Sequence, residues 1–340
     1  MIKNNKKNYL EFIKKNNLTL FNIDPHSLRG KNFFKSIFQY REKIFKIQKK
    51  RIKKKYDFIC NLCGGTKAQK FLDWKVKYEL FQCQKCSSVS PNISHSDETE
   101  FVDSIYNNNL YDKKTYNEIL KNYKYRKKNF GVERFNYTVK RLNLNSKSKV
   151  LDLGCGLGYY LSVLKDKKIN YKGLEPAKNL SYYCRKYLKL NVFSTALEEE
   201  KSNSYNLITL FDVLEHLKDP IKYFKIINKK LKKNSYCVCY TPNIHSMGYA
   251  LMGSDQNTLL PFEHLCFFDN KSFDYLAKKT GFKVISIETY GLDVTDYLLL
   301  KEFKDNIAYT SKLKEFIFLT QSLIDKLNLS NHFRVTFKKN

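Results

Sequence analysis

The stretch VLDLGCGLGYYLSVLK, Val150 to Lys165, decides the fold. A short apolar run carries Asp152 at its end, glycines follow at 154, 156 and 158, and an amphipathic helical pattern begins at Tyr159. Glycine permits a tight turn and a close approach of backbone to ligand, and the first amides of a helix are free to bind one. Nicotinamide dinucleotide enzymes use a similar loop, so the glycines alone fix a nucleotide-binding strand–turn–helix and not a reaction. Glu175 adds information. It closes the next apolar run, 21 residues after Gly154, where a carboxylate can accept hydrogen bonds from both ribose hydroxyls.

Working outward, strand-like runs at Lys149–Leu153, Tyr171–Leu174, Asn191–Ser194, Asn206–Phe211, Tyr236–Thr241 and Lys283–Thr289 are separated by helical patterns. A last strand is expected at His332–Lys338, after a helical insertion near 296–328. Such alternation predicts an α/β protein with a Rossmann-like, mostly parallel, seven-stranded sheet. This domain is assigned to residues 143–340. Ahead of it, residues 1–57 read as a basic helical arm, 58–92 as a cysteine unit and 93–142 as a helical linker or cap. In the arm, Phe34, Ile37, Phe38, Ile44 and Phe45 share one helix face, which suits a packing arm with a wet side or a membrane-surface or partner helix.

With 340 residues, 42% of them apolar, the chain can bury a large core. Neither a signal peptide nor an apolar run long enough to span a bilayer is legible, so a cytoplasmic protein is expected. The formal charge of +29 admits an anionic partner, nucleic acid included. Lysine is nevertheless spread along the whole chain, with one concentration at Lys43–Lys55, as compositional drift also produces.

Four of the nine cysteines form two knuckles, Cys60-x-x-Cys63 and Cys83-x-x-Cys86, nineteen residues apart. That spacing matches tetrahedral zinc, with a redox pair as the competing reading for either knuckle. Four thiolates close the coordination shell, so the zinc expected here is structural. Cys155, Cys184, Cys237, Cys239 and Cys266 are scattered, unlike a disulfide framework.

The sequences DLGCGLG, KGLEP and FDVLEHLKDP (211–220) together resemble the class I S-adenosylmethionine (SAM)-dependent methyltransferases, a broad group that includes enzymes of polysaccharide and quinone biosynthesis. The order Cys-x-x-Cys-Gly…Gln-Cys-x-x-Cys is similar to the zinc-binding leader of many of them. The resemblance implies that Asp152, Gly154, Cys155, Gly156 and Gly158 hold the methionine part and Glu175 the ribose. It further implies that Ala196, Leu197 and Glu198 frame the adenine, while Phe211 and Asp212 line the cofactor pocket. A nicotinamide dehydrogenase would leave the DVLEHLKDP segment without a role.

Methyl transfer needs an aligned acceptor and a group that takes its proton. In LPFEHLCFFD the pair Glu263-His264 is similar to one in sugar C-methyltransferases, which makes His264 a base or substrate anchor; a loop-bracing hydrogen bond is the alternative. Phe262 departs from the tyrosine often found before that pair. His216, after Glu215, either faces the methyl group or caps the following helix, and His245 is a further candidate. His26, His95 and His332 lie in no motif. Tyr159 and Tyr160 read as packing residues. The expected acceptor is a small molecule, anionic or sugar-linked. RNA, a quinone or lipid-like acceptor, and a non-catalytic scaffold are the alternatives.

Overall fold

The computed structural model describes residues 11, 24–29, 32–52, 58–74, 78–93, 120 and 122–340. His95, Lys53–Lys55 and most of the expected 93–142 linker lie outside these residues. The chain divides into two compact units, one of residues 1–42, 243–260 and 288–333, the other of residues 43–242, 261–287 and 334–340.

The second unit holds the expected α/β architecture. Its cysteine part is an antiparallel three-stranded sheet of β1 (Ala68–Asp73), β2 (Glu79–Cys83) and β3 (Val89–Pro91). An entry helix then runs over 123–140, α-helical at Tyr123–Arg126 and Val132–Phe135 and π-wound at Lys127–Gly131 and Asn136–Lys140. It leads to β4 (Lys149–Leu153), α1 (Tyr159–Asp166), β5 (Asn170–Leu174), α2 (Lys178–Lys186), β6 (Val192–Phe193) and β7 (Tyr205–Phe211). Next come α3 (Pro220–Lys230), β8 (Leu231–Pro242), α4 (Asn270–Thr280), β9 (Phe282–Tyr290) and β10 (His332–Lys339).

The seven strands lie in the order β6-β5-β4-β7-β8-β10-β9, with β6/β5, β5/β4, β4/β7 and β7/β8 parallel. A strand covered on both faces reads as a continuous apolar run. Accordingly Val150, Leu151, Leu207, Ile208, Leu210, Cys237 and Val238 are all buried. Tyr160 joins that core and its hydroxyl meets Thr138 at 2.9 Å. Order reversal places β4 between β5 and β7, the switch point beside which open α/β sheets bind ligands.

The first unit is helical. The insertion expected near 296–328 is α5 (Asp293–Asp305), a turn at Tyr309–Lys312 and α6 (Lys314–Lys326). Val294, Leu298, Ile317 and Ile324 pack together, and a second cluster joins Phe34, Met252, Leu299 and Leu300. Arg29 donates two hydrogen bonds of 3.1 Å to the buried Asp296 carboxylate. Asp293 accepts from the Gly248 and Asn331 amides and from Gln321, which compensates its burial. No helix among the described residues is long and apolar enough to cross a membrane.

Candidate active site

The glycine loop turns through three left-handed residues, at φ of 63° for Gly154, 53° for Gly156 and 67° for Gly158. The three do different work. A Cβ on Gly158 would come within 2.6 Å of Leu190, whereas one on Gly156 would meet nothing within 4 Å. Gly156 therefore faces open space and Gly158 faces the core. The loop is tied down by the Gly154 amide on the Leu174 carbonyl at 2.8 Å.

Glu175 stands beside this open space. One carboxylate oxygen accepts from the Gly156 amide at 2.7 Å and the other from the Ala177 amide at 2.9 Å. Each oxygen retains a lone pair, so the carboxylate offers the two acceptors that the hydroxyls of a ribose diol require. Burial raises the Glu175 carboxyl above its usual range, and the two amides oppose that shift. Asp152 is buried and accepts from the Thr209 hydroxyl at 2.7 Å. Burial pushes its carboxyl up to about 7. These residues fit SAM: an acid pair flanks a loop whose central glycine leaves room for a ligand.

Ala196, Leu197 and Glu198 follow β6, with Leu197 buried and the other two exposed. Phe211 closes β7, edge-on to Tyr160 at 5.1 Å and to Tyr240 at 4.8 Å. Asp212 adopts a left-handed backbone, φ 60°. Arg134 of the entry helix donates to its carboxylate at 3.0 Å, and the same guanidinium lies 4.4 Å over the Phe211 ring. Its positive charge also acts on Asp152. Sequence reasoning missed Arg134, because an arginine on an amphipathic basic helix carries no local signal. Its neighbour Glu133 anchors the helix, accepting from Arg334 at 2.8 Å and from the Tyr240 hydroxyl at 3.1 Å.

One turn beyond Asp212 lies a second cluster. Glu215 is buried and accepts from the Thr241 hydroxyl at 2.8 Å. Its other oxygen lies 4.0 Å from His216 Nε2 and 3.9 Å from His264 Nε2. The two imidazoles meet edge to face at 4.7 Å. His216 Nδ1 lies 3.1 Å from the Glu263 carbonyl. A carbonyl only accepts, so Nδ1 carries the hydrogen and Nε2 presents its lone pair toward Glu215. Burial lowers His216 to about 4, and burial together with the neighbouring Asp212 charge raises Glu215 well above a normal carboxyl. Burial also raises Glu263 to about 8.

The sequence expectation that His216 could cap the next helix is corrected. Asp219 holds that cap, accepting from the Lys222 amide at 2.9 Å with Pro220 in the first helical turn. His216 closes a separate short turn, Leu214–His216. His245 is exposed and belongs to the other unit.

Cys60, Cys63, Cys83 and Cys86 come together with every Sγ within 4.8 Å of the others. Two of the separations, Cys60–Cys86 and Cys63–Cys83, are 3.5 Å. Tetrahedral Zn–S bonds of ~2.3 Å require about 3.8 Å between sulfurs, so the four thiols fit such an ion. A cleft of about 580 Å³ beside them is lined by Lys85, Lys271, Lys278, Asp274 and Tyr275.

A family model described as a methyltransferase domain matches residues 124–287. A ubiquinone biosynthesis O-methyltransferase of Aliivibrio fischeri (strain MJ11) is 28% identical over 118 residues, 32% of this chain and 50% of that protein. Its counterpart in Rickettsia typhi is 26% identical over 110 residues, 31% and 45% of the two chains. The chain thus spans about half the length of the curated relatives it matches. Among solved structures, a SAM-dependent methyltransferase from Archaeoglobus fulgidus superposes with a TM-score of 0.42 and 22% identity, covering 61% of this chain and 94% of that one.

Proposed function

We propose that this chain, whose residues 124–287 match a methyltransferase-domain model, transfers a methyl group from SAM to a hydroxyl of a small, sugar-linked acceptor with His216 and His264 as the proton-accepting pair. The observation that carries this reading is the approach of Glu215 Oε1 to His216 Nε2 and His264 Nε2, at 4.0 and 3.9 Å, with Glu215 in the turn that follows the end of β7.

SAM supplies a methyl group made electrophilic by its sulfonium. Asp152, Glu175 and the 154–158 loop bind and orient it, and Arg134 is placed to receive its carboxylate in exchange for Asp212. Acceptor alignment and proton removal fall to the second cluster. The Glu263 carbonyl holds the hydrogen on His216 Nδ1 and leaves Nε2 as the atom that can receive a proton, while burial keeps the ring neutral and weakens it as a base. The acceptor hydroxyl's proton passes to an imidazole nitrogen as the new O–CH3 bond forms and the bond from methyl to sulfur breaks, and the imidazolium so formed lies beside the polar Glu215 carboxyl. A neutral amine would need no such base before attack, which favours oxygen as the methylated atom.

Support for a sugar comes from the Glu263-His264 loop together with the four-cysteine unit, which we assign as a structural zinc site. Lys85, Lys271 and Lys278 would suit an anionic group on the acceptor. The second reading, a phenolic quinone precursor, is favoured by the names of the curated relatives.

Calorimetric titration with SAM and S-adenosylhomocysteine tests the cofactor. Mass spectrometry of reactions with sugar nucleotides and with catechols then separates the acceptors. Well-folded protein that binds neither cofactor form would end the methyl-transfer reading.

A further inference from the structure

We infer that Tyr78 is a positioning residue for His264, and that through it the four-cysteine unit sets the backbone of the loop bearing the acceptor-side histidine. The inference rests on the proposed role of His264.

Residues 262–269 are held from two sides. On one side the Leu265 and Cys266 amides donate to the Glu215 carbonyl at 2.7 and 3.2 Å, and the Glu263 carbonyl accepts from His216. On the other side stands the cysteine unit. Val89 and Phe267 form an isolated antiparallel bridge, with amide–carbonyl distances of 2.9 and 2.8 Å. Ser87 donates its hydroxyl to the Asp269 carboxylate. The Phe262 amide donates to the Tyr78 hydroxyl oxygen at 3.1 Å.

Tyr78 acts where the loop most needs support. Phe262 is buried with a left-handed backbone, φ 66°, which a residue with a Cβ rarely adopts. The ring of Tyr78 packs on that of Phe262 at 4.9 Å, and Phe45 lies edge-on to both, at 5.6 and 5.4 Å. His264 lies two positions beyond this bend, so a change of φ at Phe262 re-aims the imidazole.

The path continues to the metal ligands. Ser88 lies within hydrogen-bond range of Cys60 and Cys86, at 3.3 and 3.2 Å, and its carbonyl accepts from the Cys83 amide at 2.9 Å. Val89, the next residue, makes the bridge to Phe267. A metal that fixes the second knuckle therefore also fixes the strand on which the histidine loop rests.

The test uses full-length, metal-loaded protein labelled with nitrogen-15 in histidine, with the His264 ring signals assigned from their loss in His264→Gln. Tyr78→Phe keeps the ring and removes only the hydroxyl. It should shift the His264 ring signals while metal content and SAM affinity stay at wild-type values. Extracting the metal from wild-type protein with dipicolinate should move the same signals, and added zinc should restore them. Should Tyr78→Phe not fold, Ser87→Ala provides the gentler version, judged on the same signals. Unchanged His264 signals in a variant whose only defect is a lower melting temperature would overturn the inference. Failure of wild-type protein to bind SAM would instead strike the methyl-transfer reading, and the response of His264 to Tyr78→Phe would still decide this one.

Discussion

His216 Nε2 and Glu215 Oε1 face each other at 4.0 Å with the histidine tautomer already fixed from behind by the Glu263 carbonyl. A lone pair opposite an ionised carboxylate is repulsive, which acts in the same direction as the burial that raises the Glu215 carboxyl. The fixed tautomer thus leaves Nε2 as the ring atom able to take a proton from an acceptor.

Replacing either histidine with glutamine should therefore damage turnover and spare cofactor binding. General-base contributions are typically 10²–10⁴-fold, so kcat is expected to fall by about that factor in His216→Gln or His264→Gln. Steady-state kinetics with calorimetry of SAM on the same preparations checks the split. Full activity in both variants would remove the pair from the reaction.

Arg134 should matter to cofactor affinity. A charge-assisted hydrogen bond contributes about 1.5–3 kcal/mol, so Arg134→Met is expected to weaken SAM roughly 10- to 100-fold. S-Adenosylhomocysteine keeps the same carboxylate and should lose a similar factor. Loss confined to SAM would show that Arg134 does not meet the carboxylate.

Gly156 and Gly158 should separate binding from folding. Alanine at either position carries a left-handed penalty of about 1–2 kcal/mol. At 158 the added methyl also meets Leu190 at 2.6 Å, whereas at 156 it projects into open space. Gly158→Ala is expected to show the larger drop in melting temperature, and Gly156→Ala the larger loss of SAM affinity relative to its stability change. Equal thermal shifts would contradict this division.

Burial raises Asp152 and Asp293 to about 7 and Glu263 to about 8. Unfolded carboxyls have released their protons by pH 6.5, while these retain theirs in the fold. The unfolded state then binds fewer protons, so stability falls as pH rises, by up to about 1.4 kcal/mol per unit for each group still protonated. His216, lowered to about 4, works in the opposite direction only below its unfolded value near 6.5. Between pH 6.5 and 8 the cofactor-free protein should accordingly lose melting temperature. Asp152→Asn should flatten that slope, and an unchanged slope would remove Asp152 as a contributor.

Local chemistry made much of this protein legible. The run ending in Asp152, the glycine loop and Glu175 announced a strand, a turn and a second strand end, and β4 spans Lys149–Leu153 as expected. The cysteine knuckles were equally plain, since two Cys-x-x-Cys pairs announce four thiols that can meet, and the fold brings the four together. β6 shrank to Val192–Phe193 and β8 grew to Leu231–Pro242, because strand ends depend on neighbours as well as on the pattern.

What stayed hidden depends on residues far apart in the chain. Tyr78 and Phe262 are 184 positions apart, and Glu133 and Arg334 are 201. Neither pair leaves a periodic trace. Arg134 looks like any exposed helical arginine until the chain closes and brings Asp212 beneath it.

The contact that joins Arg29 to Asp296 has a consequence for how the chain is made. Arg29 and Asp296 are separated by 267 residues. At ~5–20 residues per second on the ribosome, the arm must wait roughly 15–50 s for its partner to appear. A nascent chain stalled near residue 290 should leave its arm open to protease, and one released at full length should protect it. Synthesis order thus leaves Arg29 without its carboxylate until late.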